Sequence, residues 1–229
     1  MIKGQFATHA GHPIFLEADT GGNLDSLCTK ETLVFPWLRL IRIAFTLLGE
    51  PKIDFLAATR IRLRAWPNDL DLNLHVNNGR YLAIADIARL HWFVRTGVME
   101  VARKQRAFPV IGDAIAKFRR DLKAFDSFEI ETRLLGWDHK WGFLEHRFIR
   151  NDRVIGVVAI RGVFKGPNGP VDPGVFLTEL LHSRPPPPLP SWTDNFQDGC
   201  EAMSELLREE EKVRELGGLV YVDETKPTF

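Results

Sequence analysis

Cysteine is nearly absent from this chain. Cys28 and Cys200 are the two in 229 residues. Their separation fits neither metal-ligating spacing nor a disulfide framework, which points to a reducing compartment. Net charge is absent as well, 30 Lys and Arg balancing 30 Asp and Glu. That balance argues against a general electrostatic affinity for nucleic acid. No window approaches the roughly 20 consecutive apolar residues of a membrane span. Residues 1–30 are polar and glycine-containing and lack the apolar core of a secretory signal. The expected location is therefore cytoplasmic. A Gly-x-Ser-x-Gly elbow, a Cys–His neighbourhood and a glycine-rich phosphate loop are also missing. Serine and cysteine nucleophilic chemistry and nucleotide binding through such a loop lose their usual signatures.

What is present divides into an extension, a domain and a tail. Residues 1–54 form the extension, with no sustained periodicity up to about 32 and then an apolar helix over 33–49, broken early by Pro36. Arg39 and Arg42 fall inside that helix. It reads either as a helix packed on the core or as an interfacial helix peripheral to a membrane, its arginines reaching lipid phosphates. Residues 55–183 read as the main domain. Thr59 to Ala65 alternates polar and apolar, as a half-buried strand does. A helix follows over 78–97, with Asn77 or Asn78 as N-cap and Gly97 as C-cap. It is apolar around most of its circumference, so it should be buried on several sides. Strands are expected over 108–122, 127–136, 141–150 and 154–164, the last apolar on both faces and therefore central. Their short connections imply an antiparallel meander, closed by a turn at 166–170 and a short helix over 173–182. Residues 184–229 open with a polyproline linker. They continue into an amphipathic helix over 200–216, whose default reading is a solvated or weakly docked tail. The class is α+β: a long central helix wrapped by a curved antiparallel sheet.

The chemistry concentrates in Asp69-x-Asp71-x-Asn73-x-His75-Val76-Asn77-Asn78-x-x-Tyr81, between the first strand and the helix. A folding core has no use for so many adjacent hydrogen-bonding groups. Unpaired N–H donors at a helix start suit a developing oxyanion, and a nearby carboxylate can attack a carbonyl or activate water toward it. Asp71 leads on that ground. Asn73 and His75 can orient water or share a proton, and His75 serves equally as a structural hydrogen-bonder. Asn77 and Asn78 are caps or substrate contacts, and Tyr81 packs inside. One of the two aspartates is expected to make an Asx-turn, and Asp69 is the better turn residue. Asp86, inside the helix, is expected to pair with an arginine. Alternating acids and amides also bind cations, but no second His or acid cluster completes a set, so no metal site is assigned.

At these residues the chain resembles the hotdog-fold thioesterase superfamily, specifically the 4-hydroxybenzoyl-CoA thioesterase-like group and its thioesterase superfamily member 6-like subfamily. The resemblance runs over about residues 55–165. Support comes from Ala116-Lys-Phe-Arg-Arg120-Asp-Leu and the Leu135-Gly-Trp137-Asp turn. It implies hydrolysis of an acyl-CoA or acyl-carrier-protein thioester, with coenzyme A as part of the substrate and no separate cofactor. It places the essential acid on Asp71 and the polarising backbone N–H on Asn78. A related Asp/Asn/His set in the plant carrier-protein thioesterases falls on Asp71, Asn73 and His75, so the subgroups weight Asn73 and His75 differently. Asn77 and Tyr81 are implied to line the substrate. Arg119, Arg120 and Lys123 either meet the coenzyme A phosphates or form a solvated basic strand end. The resemblance implies a homodimer or dimer of dimers, with sheets joined edge to edge and sites at the interface. The alternative from another class is a non-catalytic hotdog module that binds acyl groups or organises a membrane-linked partner.

Overall fold

The computed structural model describes residues 37–47, 49–181 and 184–215. The loose extension, the expected start of the first helix at residue 33, and the tail beyond 215 lie outside them. Helix α1 runs over Trp37–Leu47. Its inner stripe packs on the domain, with Ile43 in the core and Leu40 and Leu47 against it.

Strand β1, Thr59–Arg64, keeps its alternation: Ile61 and Leu63 are buried while Arg60, Arg62 and Arg64 are exposed. Helix α2 spans Asn78–Thr96, capped by the Asn77 side chain and ended by Gly97 at φ 83°. That positive φ is where glycine costs least. Ile84, Ala85, Ile87, Ala88 and Trp92 are buried, but a stripe at four-residue spacing, Leu82, Asp86, Leu90 and Val94, stays open. The helix is therefore embedded over most of its circumference rather than all of it. A short α3, Val98–Lys104, follows.

Strands β2 (Phe108–Phe118), β3 (Ser127–Trp137), β4 (Gly142–Arg150), β5 (Arg153–Gly166) and β6 (Gly169–Val171) complete one antiparallel sheet. The order is β1-β3-β4-β5-β2, with β6 also on β5. β5 is central, as its two-sided apolarity requires. The meander is limited to β3–β5. β2 does not pair with β3, which follows it; it pairs with β5 and ends the sheet. Register shifts in the pairings between 111 and 113, 134 and 136, and 148 and 149 are where such a sheet bends. The inner face packs Ile130, Leu144, Phe148, Val158 and Ile160 against α2.

Short helices α4, Pro173–Phe176, and α5, Thr178–Leu181, close the inner side. The proline-rich segment crosses β3 at Gly136, where an added Cβ would lie 2.8 Å from the Pro187 carbonyl oxygen. Helix α6 runs over Trp192–Glu215, starting earlier than the sequence periodicity indicates. Its first turns are docked: Phe196 packs with Leu135 and Phe143, and Gln197 donates to Asp138 at 2.7 Å. On the outer face, buried Arg161 bonds Asp113 of β2 at 2.6 Å and Glu201 of α6 at 2.8 Å, and stacks on Trp141. None of the described helices is long and apolar enough to cross a membrane.

Candidate active site

The motif folds into a closed loop between β1 and α2. A single bridge joins Leu70 to Val76. Within it the Asp71 N–H donates to the His75 carbonyl at 2.9 Å and the Leu74 N–H to the Asp71 carbonyl at 3.0 Å. Leu74 takes φ 60° to close the turn. The Asp71 carboxylate accepts from the Asn73 N–H at 2.8 Å, so the Asx-turn belongs to Asp71. Its second oxygen has no partner among the described residues.

Asp69 has a different task from the turn role expected of it. It is 2% exposed, accepting from Arg39 through two bonds of 3.0 and 2.5 Å and from the Trp66 N–H at 2.8 Å. Arg39 also donates to the Arg64 carbonyl at 2.7 Å. A bidentate arginine fixes orientation as well as charge. Here it ties α1, the end of β1 and the motif loop together. Arg39 is thus turned inward and is not available to lipid phosphates.

The loop sits beside the start of α2 because the Asn77 N–H donates to the Asp69 carbonyl at 2.8 Å. The Asn77 side chain accepts from the Gly79 N–H at 2.8 Å. It is a cap, which takes its carbonyl oxygen from the substrate role expected of it. The Asn78 N–H, at the first helical position, has no acceptor among the described residues. It faces the positive end of a 19-residue helix, where an oxyanion is favoured.

His75 turns to another partner. Its Nε2 lies 3.2 Å from Asp121, and the adjacent Val76 N–H donates to the Leu122 carbonyl at 2.8 Å. Hydrogen bonding to its backbone amide first, and then the charges of His75, Lys123 and Arg150, hold the Asp121 carboxyl below its usual range. Asp121 was not legible from sequence, since its partner lies far back in the chain. Asn73 is exposed beside Asp71. Tyr81 is 3% exposed, wedged between Phe118 and Phe148 at 5.0 and 4.8 Å. Burial pushes its hydroxyl up to about 12. It is a core residue. Arg119 and Arg120 are exposed next to Asp121. Arg120, Arg150 and Arg153 line a shallow hollow of about 620 Å³.

A second feature lies farther along α2: an apolar cleft of about 560 Å³ counting the solvent at its mouth, its enclosed part about 60 Å³, lined by residues that include Trp92, Phe93, Val110, Ile111, Trp137 and Leu177. Arg89 is the one charged side chain in its wall. Among the described residues no group of three or more His, Cys, Asp or Glu could hold a metal ion.

A profile of the thioesterase-like superfamily matches residues 65–196. A Xenopus laevis protein named THEM6 is 39% identical over 97 residues, covering 42% of this chain and 47% of its own length. Its Danio rerio namesake is 36% identical over 112 residues, covering 48% and 55%. This chain thus spans about half the length of these curated relatives. The YbaW probable thioesterase from Escherichia coli shares the fold at 21% identity, with a TM-score of 0.50 over 53% of this chain and 95% of that one. The single antiparallel sheet packed on α2 is the hotdog arrangement, and the chain belongs to the thioesterase-like superfamily.

Proposed function

We propose that the chain hydrolyses acyl thioesters, acyl-CoA foremost. The observation that carries this reading is that Asp71, one carboxylate oxygen unpartnered in a tightly bonded turn, lies in the loop that leads into the unpartnered Asn78 N–H at the start of α2. Asp71 removes a proton from water as it attacks the thioester carbonyl, or attacks the carbonyl itself and is freed by water afterwards. On either route the negative oxygen forms against the Asn78 N–H, and collapse expels the coenzyme A thiolate. Asn73 orients the water, and His75 with Asp121 holds the loop. Arg119 and Arg120, with Arg153 nearby, supply cations for the coenzyme A phosphates.

The reading includes a homodimer formed along β2. This strand has one neighbour and exposes Phe108, Val110, Ile111, Ile115 and Phe118. An unprotected apolar edge of this kind is covered by another chain. In an antiparallel two-fold pairing centred on Asp113, Phe118 of one β2 lies opposite Phe108 of the other. Phe118 packs on Tyr81 in the first turn of α2, whereas Pro109, Val110 and Ile111 line the cavity. Each cavity then faces the other protomer's helix start, and the site is shared. Peripheral membrane contact is part of the proposal through the open side of α1, where Ile41 and Phe45 flank Arg42. Co-flotation with anionic liposomes, lost in Phe45→Asp, is expected, and a chain that never co-floats removes this part.

Release of free coenzyme A thiol from aromatic, short-chain and long-chain acyl-CoAs tests the main proposal. Turnover above background for at least one class is expected. No release across the panel, with acyl-CoA still bound, would leave the non-catalytic module, a reading favoured by the exposed Met203, Leu206, Leu207 and Val213 stripe on α6.

A further inference from the structure

Among the described residues, Arg89 in the cavity wall and His146 on β4 each keep a buried polar atom without a partner. Arg89 sends Nη2 to Asp86, whose side chain is half exposed, while its Nη1 is buried and unbonded. On β4, His146 is fully buried and bonds Thr132 Oγ1 through Nδ1 at 2.9 Å, leaving Nε2 unbonded. The two groups are neighbours in charge: burial first, and the Arg89 guanidinium second, lower the His146 imidazole to about 3. His146 is therefore neutral. On β4 it stands opposite Thr132 of β3, two residues from Leu144, which lines the cavity. An unpaired buried N–H is costly. A folded chain rarely keeps such a group in a cavity wall unless something else completes it.

We propose that Arg89, backed by His146, reads an oxygen on the acyl group, so that the preferred substrates carry a neutral hydroxyl or oxo group on an otherwise apolar acyl moiety. This rests on the cavity being the acyl site of the proposed thioesterase. The oxygen accepts from Arg89 Nη1. A free carboxylate fits poorly. Asp86 already balances the guanidinium and His146 is neutral, so a second anion would be buried uncompensated. A plain hydrocarbon fills the volume but leaves Arg89 and His146 as they are. Sites built to hydrogen-bond a substrate oxygen discriminate strongly against analogues lacking it.

The test uses binding, which does not depend on turnover. Non-hydrolysable thioether analogues of acyl-CoA are titrated into the full chain, read by the fluorescence of Trp92 and Trp137 in the cavity wall. The set contains a plain acyl chain and matched hydroxy, oxo and terminal-carboxy versions. Wild type is expected to bind the hydroxy or oxo analogue at least about tenfold more tightly than the plain one. Arg89→Met should erase that ratio. Should Arg89→Met not fold, Arg89→Lys, which moves the donor, must shrink the ratio. Equal binding of all analogues, preference for the carboxylate, or a ratio unchanged by either variant overturns the proposal. Thiol release without an oxygen preference defeats this inference alone. A preference in binding without thiol release defeats hydrolysis alone.

Discussion

Asp69 and Asp71 stand two residues apart and have opposite surroundings. Asp69 is buried with both oxygens engaged, chiefly by Arg39, and Asp71 keeps one oxygen open. Removing one partner of a buried pair leaves the other charge uncompensated, at a cost of about 3–5 kcal/mol. Asp69→Asn should therefore lower stability by that order in chemical denaturation. The joint replacement Arg39→Met with Asp69→Leu should recover most of it, since an apolar pair of similar volume removes the stranded charge. A silent Asp69→Asn would contradict the structural role. Asn77 and the helix start were legible in the sequence because their bonds are local, whereas the turn expected of Asp69 belongs to Asp71. The Arg39–Asp69 pair, His75–Asp121 and the Arg89–His146 neighbourhood were not, since each joins residues far apart in the chain.

Among the elements, β1, α2 and β3–β5 follow directly from their periodicities. The position of β2 does not, because a strand's own pattern does not say which edge it will occupy. Its exposed apolar residues are the trace of that edge. Helix α6 is the other departure. Its charged composition reads as solvated, yet the buried Arg161 in β5 gives Glu201 a partner and Phe196 finds the outer-face pocket of Leu135 and Phe143. Phe196→Ala should cost about 3 kcal/mol in thermal or denaturant unfolding. Amide hydrogen exchange should find the first turns of α6 protected and those around Leu206 and Val213 exchanging fast. Uniformly fast exchange along α6 would mean that the docking does not hold. Gly136→Ala should displace the proline-rich crossing, because at φ 151° with the Pro187 oxygen 2.8 Å from a Cβ there is no room for one.

At the scale of the whole molecule, the buried histidines set the response to acid. The His146 pKa of about 3 lies below the ordinary 6.5, and burial lowers His91 in the same direction. Between those values the unfolded chain binds more protons than the folded one. The stability is thus fully present above pH 6.5 and is lost as pH falls toward 3. Denaturation at a series of pH values should show a decline of up to about 1.4 kcal/mol per pH unit for each such group, flattened in His146→Gln; a flat wild-type profile from pH 6.5 to 4 would contradict it. If cavity and acid belong to different protomers, mixing Asp71→Asn with a cavity-filling Val110→Trp variant should restore about a quarter of wild-type turnover. Half of randomly paired dimers would be mixed, each with one intact site. No recovery would show that each chain works alone. Whether Asp71 performs the proposed thioester hydrolysis is decided by thiol release from acyl-CoA by wild type and by Asp71→Asn of matched thermal stability. A loss of at least about 100-fold in kcat is expected for Asp71→Asn; undiminished release by that variant would place the catalytic group elsewhere.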